Sequence, residues 1–212
     1  MYLSRVELDK NNRQKIKDLT HVGAYHSWVE DSFPEEEARH ERTRKLWRLD
    51  TLGGHTYLLV VSKEKPDLAR LEKYGVPGSA QTKNYDRFLS GITTGKRYRF
   101  RAVLNPAYSV SAGSASARGR TYPEVTADQQ LTYFAKKAEP NGFILEPGQY
   151  TVTERRYVVL KESKMKPVYL CQAAFEGVLQ VNDADLFRHA LTQGIGRKKA
   201  YGFGMMTVIP VE

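Results

Sequence analysis

A chain of 212 residues has room for one large domain or two of about 100 residues each, and its 41% hydrophobic and 11% aromatic content is that of a packed protein, not a disordered one. Lys and Arg number 33 against 24 Asp and Glu, a formal charge of +9, of which +7 falls after residue 95; a polyanion is the partner this suggests, with a merely soluble basic surface as the bland alternative. Cys171 is the only cysteine, which excludes an intrachain disulfide and disfavours a thiolate zinc site, and no segment approaches the ~20 apolar residues of a membrane span or the apolar run of a signal peptide, so a cytoplasmic protein with no membrane partner is expected.

Residues 2–8 alternate in polarity and predict a strand, and residues 13–19 carry a short helical pattern. A second helix is expected from Tyr25 to about Asp31, and Pro34 with Glu35, Glu36 and Glu37 opens another polar turn or helix. Strands over residues 45–50 and 56–62 flank Gly53-Gly54 and read as a hairpin. Pro66, Leu68, Leu71 and Tyr74 mark a short helix, followed by a possible strand over residues 80–85. The order then recurs. Residues 96–104 predict a strand stopped by Asn105-Pro106, residues 109–120 a mobile Ser/Ala/Gly-rich loop, and residues 126–138 a helix capped by Thr126. Long strands over residues 143–160 and 167–181 enclose a charged tip, Asp183 caps a helix through His189, and residues 203–209 supply a last strand. Two β-α-β-β-α-β units in tandem predict an α+β protein of two ferredoxin-like (RRM-like) domains, residues 1–92 and 93–212. The runs KRYRFR and RKKAYGFGMM do not fit the aromatic pattern of RNA-recognition motifs, so readout by base stacking on the sheet is not expected.

The five histidines, His21, His26, His40, His55 and His189, show no zinc-site spacing, and the chain has no Walker A loop and no G-x-S-x-G elbow. What remains is proton transfer by an isolated imidazole, suited to RNA because the substrate carries its own nucleophile, the 2′-hydroxyl. His26, between Tyr25 and Trp28, is the candidate, although a lone histidine is more often structural than catalytic. Gly194, Gly196, Gly202 and Gly204 surround Arg197, Lys198 and Lys199, a run suited to phosphate contact or, more blandly, a flexible loop with solvated charges. Arg97, Arg99 and Arg101 share one face of a strand by period two. Arg155, Arg156, Lys161, Lys164 and Lys166 crowd the ends of the C-terminal hairpin, which either grips RNA phosphates or stays soluble by its charges.

MYLSRVEL at the start, the His26 segment ending in Phe33-Pro34, LWRLD ending at Asp50, YRFRAVLNP ending at Pro106, and AAFEGVLQVND followed by QGIGRKKAYGFGMMTV make the chain resemble the CasE-type endoribonucleases of type I-E CRISPR systems along nearly its whole length. The resemblance implies an enzyme without metal or cofactor that binds the CRISPR repeat stem-loop, cuts at its 3′ base to leave a 2′,3′-cyclic phosphate and a 5′-hydroxyl, and stays bound with other subunits of the Cascade complex. It matches His26 to the family's catalytic histidine, as base or acid, and the basic hairpin, Arg155 or Arg156 foremost, to its groove-inserting element. Some members carry a catalytic tyrosine three residues before the histidine. Here that position is Gly23, and Tyr25 is the nearest candidate helper. The rivals are a non-catalytic subunit that only holds the RNA hairpin, and a metabolic or regulatory ferredoxin-like module with an incidental basic surface.

Overall fold

The structure is a computed structural model that describes residues 1–111, 119–161 and 166–211. Its first half runs β1 (Tyr2–Glu7), α1 (Arg13–Ile16), α2 (Val22–Asp31), α3 (Pro34–Ala38), β2 (Lys45–Leu52), β3 (His55–Ser62), α4 (Leu68–Leu71), β4 (Gln81–Asn84) and α5 (Asp86–Ser90). The second half runs β5 (Arg97–Leu104), β6 (Ala107–Val110), β7 (Arg120–Pro123), α6 (Ala127–Ala138), β8 (Phe143–Ile144), β9 (Tyr150–Leu160), β10 (Val168–Val181), α7 (Ala184–Gln193) and β11 (Met206–Pro210).

The first sheet has the order β2-β3-β1-β4, and the second β11-β5-β10-β8 with β9 also on β10. In each, the first strand lies between the third and the last, and all these pairings are antiparallel, which is the ferredoxin-like arrangement twice over. Alternation decides which face is buried. In β5 the side chains of Tyr98, Phe100 and Ala102 are buried while Arg97 and Arg99 are exposed. Phe134 of α6 packs on that apolar face, 4.6 Å from the Phe175 ring and 5.3 Å from Phe100. The helix starts at a capping box formed by Thr126 and Gln129. The Asp183 carboxylate accepts from the backbone N–H groups of Asp185 and Leu186 and starts α7 in the same way.

Three expectations need correction. The loop expected over residues 109–120 is shorter at both ends, because Ser109, Val110 and Arg120 belong to the paired strands β6 and β7, where Tyr108 meets Tyr122 at 5.8 Å, while residues 112–118 lie outside the described residues. Aromatic and β-branched residues at the ends of the range, Tyr108, Val110, Thr121 and Tyr122, favour strand pairing there. The strand expected over residues 143–160 is broken into β8 and β9 at Pro147-Gly148, where Gly148 takes φ +80°. Helix α1 ends at Ile16, with Arg13 and Lys15 as its basic residues and none of its residues buried, so it has no apolar face to extend it to Leu19.

The two sheets meet at β2. Arg48, with only 2% of its side chain exposed, spends all five guanidinium protons, three of them across the joint. It donates from Nε and Nη2 to Asp50 at 2.8 and 2.5 Å, from Nη1 to the carbonyls of Arg101 (2.7 Å) and Met205 (3.3 Å), and from Nη2 to Thr207 Oγ1 (2.7 Å). Beside it the Trp47 indole N–H donates to the Ala200 carbonyl at 2.9 Å. The loop bearing Ala200 approaches this closely because it lacks side chains at two points. A Cβ on Gly194 would lie 2.6 Å from Leu46, and one on Gly202 would lie 2.6 Å from the Trp47 ring. Both glycines also have φ near +80°. Gly202→Ala therefore combines a steric clash with a left-handed backbone, and at least ~1 kcal/mol of stability should be lost, measured as a lowered urea midpoint; an unchanged midpoint would show that the close approach is not needed.

Candidate active site and nucleic-acid surface

Helix α2 presents two adjacent residues in different directions. His26 opens onto a surface depression of about 410 Å³ that it shares with His21, Gly23, Tyr74, Lys161 and Tyr201. On its other flank lies a second depression of about 360 Å³, lined by Glu30, Arg42, Arg44 and Lys45. Tyr25 points instead into the cleft between the sheets, where its ring stacks on Trp47 at 5.7 Å and 22°. Burial pushes the Tyr25 phenol up, and Arg156 across the cleft pulls it partly back.

The imidazole of His26 is bracketed on both sides. Tyr201, delivered by the glycine-rich loop, meets the ring edge-on at 5.5 Å, and Lys198 stands over the far Tyr201 ring at 5.6 Å. One helical turn along α2, Glu30 Oε1 lies 3.8 Å from Nδ1. Glu30 is itself held by Lys45 Nζ at 3.2 Å and approached by Arg42 at 3.6 Å. Lys45 is almost wholly enclosed, a position a charge tolerates only when paired. It donates to Glu36 at 2.7 Å, and Thr43 donates its hydroxyl and its N–H to the same carboxylate. Lys45 and the Thr43 bonds offset the burial of Glu36 and hold its pKa below the usual range.

Burial pushes the His26 pKa below its ordinary value; Glu30 raises it, while Arg42 and Lys45 lower it. The ring is therefore neutral at pH 7 and able to accept a proton. Burial, reinforced by nearby Arg44, also lowers the ammonium pKa of Lys199.

Of the residues singled out from sequence, His26 and Lys161 line one depression, Lys198 stands over the Tyr201 ring that also lines it, and Lys199 lies beside Arg44. The glycines have a different job from the expected phosphate cradle. Gly194, Gly202 and Gly204 are buried, the first two against Leu46 and Trp47 and the third against the Ile195 backbone, so no phosphate reaches them. Gly196 is partly exposed beside the Tyr133 hydroxyl, and Arg197 is exposed and donates to Ser109 Oγ at 3.0 Å. Arg97 and Arg99 are exposed on β5 and do not line the His26 hollow. Arg101, on the same face, spends its charge on Asp50, Glu154 and Glu176. Arg155 and Arg156 are exposed on β9, where Arg156 donates to Gln172 at 2.5 Å. Lys166 is exposed, and Lys164 lies outside the described residues.

Sequence reasoning passed over Glu30, Arg42, Arg44, Lys45 and Tyr201 as site residues. The i, i+4 spacing of His26 and Glu30 was a visible signal, as was the basic run that ends in Lys45 ahead of β2. Among the described residues no group of three or more His, Cys, Asp or Glu side chains could hold a metal ion, and no helix is long and apolar enough to cross a membrane.

A histidine framed by cations at the joint of a tandem ferredoxin-like fold defines a class of protein equipped to handle phosphate. The chain belongs to the family of CRISPR-associated proteins, whose family model matches residues 1–210. It is similar to the CRISPR-associated endoribonuclease Cse3 of Thermus thermophilus, at 27% identity over 221 residues that cover 99% of this chain and 100% of the relative. Its fold is shared by Cse3 bound to 19 nt RNA, with TM-score 0.79, 24% identity and coverage of 99% and 100% of the two chains. It is shared too by a chain of a CRISPR RNA-guided surveillance complex in a pre-nicking state, with TM-score 0.67, 23% identity and full coverage of both chains.

Removing the Glu30 charge leaves the burial and cationic influences on His26 unopposed. In Glu30→Gln the His26 titration, followed by NMR of the ring protons, should move to lower pH than in the wild type; a shift to higher pH would contradict the placement of Glu30.

Proposed function

We propose that this chain is a metal-independent endoribonuclease that binds the stem-loop of the CRISPR repeat and cuts precursor CRISPR RNA at the 3′ base of the stem. The ribose 2′-hydroxyl attacks the adjacent phosphate, leaving a 2′,3′-cyclic phosphate and a 5′-hydroxyl. The protein then stays on its product as a subunit of the Cascade complex. Family membership supports the reading, as does likeness along the whole chain to a relative named an endoribonuclease. The observation that carries it is the partly buried imidazole of His26, which lines one hollow with Lys161 and with Tyr201, whose ring Lys198 stands over.

His26 acts as the general base on the 2′-hydroxyl. Lys161, Lys198 and Lys199, with Arg42 and Arg44 behind the imidazole, meet the charge that builds on the phosphorane oxygens. Arg155, Arg156 and Lys166 on the long hairpin, Arg197 on the loop and Arg97 and Arg99 on β5 contribute backbone contacts to the stem, binding by charge rather than by reading bases. Tyr25 takes part through position: stacked on Trp47, it fixes the helix that carries His26.

The test is a denaturing-gel assay on a labelled repeat hairpin in EDTA. Wild-type protein should cut it, and His26→Ala should bind with unchanged affinity while cutting about 10²–10⁴-fold more slowly. A 2′-deoxy nucleotide just upstream of the cut should block turnover. Normal cutting by His26→Ala, or abolition of wild-type cutting by the chelator, would overturn the mechanism. Binding with no cutting at all would favour a subunit that only holds the hairpin.

A further inference from the structure

The depression around His26 contains a second imidazole. His21 is the cap residue of α2, in extended backbone at φ −155° and ψ 160°, yet its side chain makes no capping hydrogen bond. It lies over Gly23 instead: a Cβ at position 23 would sit 2.9 Å from His21 Nδ1 and 3.0 Å from Cε1. Positions 23 and 26 are one turn apart on the same helix face, where Cβ atoms are spaced by about 5–6 Å. The His21 ring thus fills the space that a side chain at 23 would take, next to His26, and both line the same hollow with Lys161 and Tyr201.

The two nitrogens of His21 differ. Nδ1 is enclosed and has no hydrogen-bond partner, while Nε2 is not among the enclosed atoms and is left to the hollow. The backbone carbonyl of Lys161 lies 3.3 Å from the same Cβ point but makes no hydrogen bond to the enclosed nitrogen. A histidine serving only to cap α2 would direct a ring nitrogen at a free backbone N–H of the first turn, and this one does not.

We propose that His21 is a second catalytic residue, the general acid that protonates the departing 5′-oxygen through Nε2 while His26 takes the proton of the 2′-hydroxyl. The proposal rests on the reading of the chain as a metal-independent RNA-cleaving enzyme. The step balances without a co-reactant: the O2′–P bond forms, the P–O5′ bond breaks, one proton passes to His26 and one leaves His21. The roles divide this way because partial burial keeps His26 in the proton-accepting form. A single imidazole would have to serve both oxygens, which lie on opposite sides of the reacting phosphorus.

The test replaces the 5′-bridging oxygen at the cut with sulfur, since a thiolate leaves without being protonated. Single-turnover rates are compared on the oxygen and sulfur hairpins for wild type, His26→Ala, His21→Ala and His21→Asn, the last keeping a good helix cap so that α2 stays folded. Both His21 variants should cut the oxygen hairpin about 10²–10⁴-fold more slowly but the sulfur hairpin at the wild-type rate, whereas His26→Ala stays slow on both. His21 variants that are normal on oxygen, or equally slow on both hairpins, overturn the proposal. A wild type that cuts neither hairpin overturns the underlying reading and the proposal with it.

Discussion

Trp47 and Arg48 on β2 hold the two ferredoxin-like units in register, and the placement of the site depends on that joint. Arg48 is a buried cation that finds acceptors on β5, β11 and its own strand. Leaving any of its protons unpaired in so enclosed a place would cost more than the bond itself contributes. Trp47 makes the other half of the contact. Its ring is stacked by Tyr25 and closely approached by Gly202, and its N–H holds the Ala200 carbonyl. Ala200 precedes Tyr201. The residue that meets His26 edge-on is therefore positioned by the same tryptophan that anchors the helix carrying His26.

Electrostatics at the site follow from what each charge is paired with. Lys45 and Glu36 are too enclosed to exist as free ions, and their mutual contact, shared with Glu30, makes a braced unit beneath the imidazole. In the cleft on the other side of α2, Arg48 and Arg101 are committed to Asp50, Glu154 and Glu176. Exposed cations lie on both sides of α2: Arg5, Lys10 and Arg156 line the cleft, and Arg42, Arg44 and Lys161 lie on the His26 side.

Much of the fold was legible because alternation and capping are local signals. The strand faces of β1 and β5, the Thr126 and Asp183 caps and the β-α-β-β-α-β order all follow from neighbours in sequence. The break at Pro147-Gly148 was also legible, as a turn dipeptide inside an otherwise strand-like run. The role of the glycines was not. Gly194 and Gly202 need their missing side chains because Leu46 and Trp47, some 150 residues away, press on them, and only the tertiary joint shows that. His26 could be picked out by resemblance, but its partners come from three separate segments: Glu30 from its own helix, Lys45 from β2 and Tyr201 from the loop before β11. Arg101 misled for the same reason, since period two places it on a cationic face and only the folded chain supplies Asp50 and Glu176 to neutralise it.

The most direct measurement is a crystal structure of the protein with a repeat hairpin made uncleavable by a single 2′-deoxy nucleotide. The scissile phosphate should rest in the hollow between His26, Tyr201 and Lys161, with the ribose C2′ facing the imidazole. A phosphate seated instead in the cleft beside Tyr25 and Arg101, with His26 open to solvent, would contradict the placement of the active site.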